Sequence, residues 1–231
     1  MVNVFLSGSA YFGIMISLAS YVLGMFLNRK LKSPLINPLL FSEIVTILVL
    51  LACGIDYDSY NQSANILSYF LTPATICLAI PLHEQFQLLK KHYPAIAAGV
   101  LAGIVTNGVL VFALACILKM SHAEYVTFLP KSVTTGISLS LTEEYGGYVT
   151  ITLISLVITG MFGNMFGEFI LNKAGVKEPV ARGIALGSAA HAIGTAKAAE
   201  MGEVEGAMAG LAMTITGLLT VPALILFTKL M

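Results

Sequence analysis

Pro130-Lys131-Ser132-Val133-Thr134-Thr135 sets one cation beside three hydroxyls just after a helix breaker. Pro130 suits the first turn of a half-helix beginning here, whose free N–H groups point back toward the break. Those amides, the partial positive helix end and Lys131 together favour an anion. Ser132, Thr134 and Thr135 add neutral donors. The plainer alternative is a Lys131 that lies at an interface and extends its ammonium to headgroups. A second run, Gly183 to Lys197, is rich in Gly, Ala, Ser and Thr and contains His191 and Thr195. Its small residues also suit close helix packing alone. His191 is of the type to donate to a carboxylate or carry a proton, against the alternative of a satisfied core histidine. In Leu71-Thr72-Pro73-Ala74-Thr75, Pro73 frees carbonyls that Thr72 and Thr75 can satisfy, or the two hydroxyls can reach a ligand. Glu43, inside another apolar run, needs a partner, a proton or hydration.

The elements that must position these residues follow from composition. Of 231 residues 57% are hydrophobic and only 10% charged, where soluble domains carry roughly 25% charged. Met1–Leu27 and Tyr93–Leu118 contain no charge, and each exceeds the ~20 residues that cross a hydrocarbon core about 30 Å thick. This pattern predicts an all-α, multi-pass membrane protein with the lipid bilayer as its solvent. Spans are expected near 4–27, 35–54, 66–82, 94–118, 147–172, 183–199 and 206–228. The stretch 125–141 is interrupted by Pro130 and Lys131 and reads as re-entrant or broken. Seven spans of about 21 residues leave roughly 84 residues for every connection, too few for a soluble catalytic domain.

Other classes recede on the same grounds. Twelve basic and twelve acidic residues give zero formal charge, so no basic field attracts nucleic acid. Cys53, Cys77 and Cys116 have no metal-ligand spacing and form no disulfide framework; no metal or cofactor is expected. Ser188 and His191 are three apart and can share a helix face. No Gly-x-Ser-x-Gly elbow surrounds that serine, and the chain is not read as an enzyme. A passive pore lined by the polar breaks is the stronger competitor.

Basic residues collect after the first span (Arg29, Lys30, Lys32), after the third (Lys90, Lys91) and in Lys173, Lys177 and Arg182. If 125–141 does not cross, all three clusters share the inner side, with the N-terminus outside and the C-terminus inside. The triplets within 35–118 and 147–228 then run in opposite senses, as halves of an inverted repeat within a single domain, 1–231. Such repeats place substrate near the midplane, where broken elements meet.

Asn37-Pro38-Leu39-Leu40, Pro73-Ala74-Thr75 with Ala79-Ile80-Pro81-Leu82, Pro-Lys-Ser-Val-Thr-Thr at 130–135 and His191-Ala-Ile-Gly-Thr-Ala resemble the LrgB/CidB family over nearly the whole chain. Gly136 stands where the family's pattern has Pro, which implies a different helix start; Lys197 keeps a cation after Gly-Thr-Ala. The resemblance implies an antiholin-like protein affecting murein hydrolase export and lysis, beside a smaller LrgA/CidA-type membrane protein. It also implies similarity to the plastidic glycolate/glycerate translocator and to bacterial pyruvate carriers. The carboxylate-transport branch fits the cation-and-hydroxyl run. The expectation is a carrier of small monocarboxylates or 2-hydroxy acids in the bacterial inner membrane, working as a homodimer by alternating access, with an elevator-like movement as one form. Lys131, Ser132, Thr134 and Thr135 would hold the carboxylate. Thr72, Thr75, His191, Thr195 and Asn37 would meet the other end of the small organic anion, with His191 or Glu43 available for proton coupling.

Overall fold

Apolar runs interrupted by Pro and Gly become helices interrupted at those points. The computed structural model describes residues 11–31, 38–70, 73, 83 and 86–231, and among them every regular element is helical. Four of these helices are long and apolar enough to cross a membrane: Phe12–Lys30, Lys90–Leu118, Val149–Lys173 and Glu203–Leu230. The chain forms two compact units, residues 1–77 and 78–231.

In the first unit α1 (Phe12–Leu31) packs on α2 (Pro38–Cys53) and on the short α3 (Tyr57–Ala64), which leads to α4 (Ile66–Tyr69). Hydroxyls tie these apolar helices together, since a buried polar group needs a partner. The amide of Gly13 donates to Ser63 Oγ at 2.7 Å, Ser17 and Tyr60 hydroxyls lie 2.8 Å apart, and Ser20 meets Thr46 at 3.1 Å. Asp56 caps α3, accepting from the Ser59 amide at 3.0 Å and its hydroxyl at 2.8 Å. These bonds hold its carboxyl below the ordinary aspartate range. Arg29 and Lys30 sit in the last turn of α1, where cations suit the negative helix end.

The second unit is built on α5 (Phe86–Leu118), α8 (Val149–Lys173) and α10 (Glu203–Phe227), the last followed by a 3₁₀ turn at Thr228–Leu230. α5 and α10 run in the same direction. Ile96, Val100 and Ile104 share a buried cluster with Ala207, Met208 and Ala212, and further along Val111 and Ala115 share one with Leu224. Between these rods lie two helical hairpins.

The first hairpin is α6 (His122–Phe128), a non-helical stretch 129–134 and α7 (Thr135–Glu144). Its arms fold back on each other: Ser138 Oγ donates to the Pro130 carbonyl at 2.9 Å, and Thr127 and Thr142 side chains meet around Gly147. The second is α9 (Pro179–Met201), broken where Ala190 (φ −127°, ψ 22°) and His191 (φ 41°, ψ −137°) leave helical geometry. Gly183 approaches Glu205 and Gly187 approaches Ala209, so the first arm runs parallel to α10. Thr195 then reaches Met213 and Gly206 packs on Ala199, so the second arm runs back. Leu186 and Ala198 accordingly share one cluster, which a straight helix would hold roughly 18 Å apart.

The hairpins enter from opposite ends of the unit. The base of the first adjoins the C-terminus, where His122 Nδ1 donates to the Met231 carbonyl at 2.8 Å and Tyr125 Oη to that of Phe227 at 3.0 Å. The base of the second lies beside the start of α10. Arms of 7 to 11 residues extend about 10–16 Å, half of a hydrocarbon core or less.

Two expectations change. The segment 183–199 does not run through as one span, because the backbone reverses at Ala190–His191. The expected opposition of 94–118 and 206–228 is replaced by parallel packing. That reversal also places Met231 at the His122 end of the unit, opposite the end that holds Lys177 and Arg182. Of 66–82, only residues 66–70 and 73 lie within the described residues, and of 4–27 only those from 11 onward.

Candidate functional site

Non-helical backbone inside an apolar unit must have every carbonyl satisfied. At the end of α6 this is done residue by residue. The Thr127 carbonyl accepts from Thr152 Oγ1 at 2.9 Å, the Leu129 carbonyl from Asn107 Nδ2 at 2.8 Å and the Pro130 carbonyl from Ser138 Oγ. The Phe128 carbonyl accepts from the Lys131 amide at 3.4 Å. Thr142 and Thr152 hydroxyls then lie 2.9 Å apart, and the Tyr148 amide donates to Thr127 Oγ1 at 2.8 Å. Because Pro130 is held in this turn, the helix starts at Thr135, with Thr134 (ψ 148°) as its extended cap, and not at Pro130 as its type suggested.

This bracing places Lys131 and Ser132 in the lining of a cavity of about 570 Å³ between α5, α8 and the first arm of α9. Small residues line it: Gly99, Ala102 and Gly103 on α5, Gly163 and Gly167 on α8, Ala185, Ala189 and Ala190 on α9. Gly99, Gly163 and Gly167 let α9 pack closely, since a Cβ there would meet Ile184, Ala190 and Leu186. Thr106, Asn107, Thr159 and Ser188 supply neutral polar groups, and Leu110, Phe162 and Ile170 the apolar wall. Lys131 Nζ lies 3.4 Å from Ser132 Oγ, and among the described residues no carboxylate forms an ion pair with it. Lys197 is the contrasting case, 3.1 Å from Glu168 and 3.4 Å from Glu200. One lysine is neutralised by the protein; the other faces a cavity.

The remaining expected site residues are placed elsewhere. His191 is 2% exposed, and its Nε2 donates to the Leu156 carbonyl of α8 at 2.9 Å; its backbone forms the tip of the second hairpin. Thr195 Oγ1 donates to the His191 carbonyl at 2.9 Å. Neither lines the cavity, nor do Thr134 and Thr135. Ser188 Oγ donates to the Ile184 carbonyl at 2.7 Å, so Ser188 and His191 are engaged separately and not with each other. Glu43 belongs to the first unit, in α2. Asn37, Thr72 and Thr75 lie outside the described residues. No group of three or more His, Cys, Asp or Glu occurs among the described residues to hold a metal.

Sequence reasoning passed over Asn107, Asn164 and Glu168. Each left a signal: Asn107 is the lone amide in an uncharged 94–118 run, and Asn164 and Glu168 are one turn apart in another apolar span. Asn164 Nδ2 donates to the Ile193 carbonyl at 3.2 Å just beyond the break in α9.

The LrgB-like family model matches residues 17–230. The chain is 36% identical over 216 residues to a Staphylococcus epidermidis protein named holin-like protein CidB, covering 92% of this chain and 94% of that one. It is 38% identical over 223 residues to the Bacillus subtilis antiholin-like protein LrgB, covering 96% of each. A Bacillus cereus antiholin-like protein LrgB is 36% identical over 218 residues, 94% of this chain and 95% of its own. No solved structure matches the chain.

Proposed function

The chain belongs to the LrgB-like family, and from that premise we propose that it is a holin- or antiholin-like membrane protein whose physical activity is the passage of small carboxylates through the cavity at Lys131. The observation that carries this reading is a half-buried ammonium beside Ser132 with no carboxylate partner among the described residues, in the lining of a cavity of about 570 Å³. Sites for small molecules commonly span ~300–1,000 Å³ and are apolar with a few converging polar groups. A monocarboxylate offers the charge that Lys131 lacks, and its hydroxyl or carbonyl end meets Ser188, Thr106 or Thr159.

The two hairpins support a carrier plan. α5 with the first hairpin and α8 with the second follow the same order in opposite directions, the arrangement of secondary transporters whose broken helices meet around substrate. In this reading the repeat lies inside residues 86–201, a shorter unit than the halves 35–118 and 147–228 expected from sequence. The reading places the chain in the bacterial cytoplasmic membrane as a homodimer, with a small LrgA/CidA-type protein as partner. The relatives' names favour a second reading, modulation of lysis through a pore-type or antiholin-like action.

Uptake of labelled glycolate, lactate and pyruvate into proteoliposomes, with and without a pH gradient, separates them. Saturable uptake is expected, with Lys131→Ala raising the half-saturation concentration roughly 10–100-fold through loss of a charge-assisted contact. Unchanged uptake in that variant would remove Lys131 from the site. Dependence on the gradient would bring in His191 or Glu43 as proton sites. Unsaturable leak of all three anions would support the pore, and no uptake by folded protein would support the antiholin-like role.

A further inference from the structure

Beside the large cavity lies a second, of about 20 Å³, reached by Asn107, Ser132, Ser188, Thr216 and Thr220. Two of its oxygens, Asn107 Oδ1 and Thr216 Oγ1, are buried and lack a hydrogen-bond partner. Asn107 donates one amide N–H to the Leu129 carbonyl, which leaves its buried carbonyl oxygen without a donor. Ser188 donates its hydroxyl hydrogen to the Ile184 carbonyl, so its lone pairs are what remain. Ser132 Oγ already accepts from Lys131 Nζ. The Asn107 carbonyl oxygen and the lone pairs of the Ser188 and Thr216 hydroxyls are acceptors open to a bound species. The Ser132 and Thr216 hydroxyls each keep a hydrogen that can turn away from it, and the space is large enough for one water-sized occupant.

We propose that this cavity binds a single monovalent cation, sodium, through neutral oxygens contributed by the tip of the first hairpin, the first arm of α9, α5 and α10. A divalent hard cation calls for carboxylates, and none lines the space; transition metals call for nitrogen or sulfur ligands, which are also missing from its lining. Sodium held at the ends of broken helices is the pattern of membrane carriers whose helices are interrupted at the site. Ser132 and Ser188 line both cavities, so cation and anion sites touch. The site stands without the carboxylate reading. If that reading also holds, a carboxylate placed between Lys131 and the sodium attracts both, and each ligand tightens the other by the same factor.

The test is thermal unfolding of the purified full chain in nanodiscs at constant ionic strength, with chloride salts of sodium, potassium or choline and no carboxylate. Sodium is expected to raise the unfolding temperature saturably, potassium less and choline not at all. Thr216→Val, nearly isosteric, should raise the half-saturating sodium concentration about tenfold or more. Thr216→Ser, which keeps the oxygen, should stay near wild type and also guards against a fold defect. Equal stability in sodium and choline would assign the cavity to water and overturn the proposal, as would a Thr216→Val protein that responds like wild type. Sodium stabilisation without carboxylate uptake would sustain the cation site and drop the carrier; uptake without sodium stabilisation would do the reverse.

Discussion

At the scale of single residues, Gly160 has no side chain because His191 occupies the place where one would stand. A Cβ on Gly160 would lie 2.7 Å from His191 Cε1 and 2.8 Å from Nε2. Gly160→Ala therefore pushes the imidazole off the Leu156 carbonyl, and His191 with φ 41° has little freedom to follow. The expected cost is about 1–3 kcal/mol, read as a lower unfolding temperature in detergent. Gly136, in the first turn of α7, has open space around its would-be Cβ, so Gly136→Ala should instead stabilise by about 0.4–1 kcal/mol in the same measurement. If both alanines behaved alike, the packing at the hairpin tip would have to be redrawn. Residue type announced Lys131 and Ser132 as a polar pair in an apolar run. It could not tell that His191 would spend Nε2 on a backbone carbonyl, because sequence fixes a side chain's chemistry and not its nearest acceptor. Asn107 shows the converse: a single amide in a uniform run gave a signal, yet its two tasks, capping Leu129 and facing a cavity, depend on a partner twenty-two residues away.

At the scale of elements, the first hairpin is held by hydroxyls more than by apolar burial at its tip. Thr152 on α8 donates to the Thr127 carbonyl and touches Thr142 on α7, so one side chain joins three helices. Thr152→Val keeps the shape and removes the donor. It leaves the fully buried Thr127 carbonyl unsatisfied, which costs about 1–3 kcal/mol. Because the loss is local, hydrogen exchange over 135–144 should quicken while the amides of α10 stay protected. Uniform quickening throughout the second unit would mean that the hairpin has no stability of its own. Pro130 and the Gly/Ala/Ser-rich run marked where both breaks fall, but not the path of the chain beyond them. Twenty-three residues from Pro179 to Met201 match a full crossing in length. The non-helical backbone at Ala190 and His191 turns that length into two arms of half the depth, and a lone histidine, although of a type enriched at positive φ, does not by itself fix a reversal.

At the scale of the molecule, the direction of α9 decides which connections share a side of the membrane. As a hairpin it returns to its own starting end, so Lys177 before it and Glu203 after it lie together, while Lys119 and the C-terminal Met231 lie at the other end of the unit, beside His122. A straight α9 would separate Lys177 from Glu203 and bring Met231 to the side of Lys177. The two arrangements divide the same residues differently, so labelling distinguishes them without any assumption about activity. In a background with Cys53, Cys77 and Cys116 replaced, Lys177→Cys and Glu203→Cys should react with a membrane-impermeant maleimide from one face of oriented vesicles. Lys119→Cys and a cysteine appended after Met231 should react from the opposite face. All four positions are exposed in the fold, so loss of reactivity through burial is not expected, and whichever face the first pair occupies reports the orientation of the second unit. If Lys177→Cys and Glu203→Cys react from opposite faces, α9 crosses, and the hairpin tips that define both cavities no longer face each other. If they react from the same face, the two broken elements enter from opposite sides, and the small residues of α5, α8 and α9 gain their explanation as the walls between them.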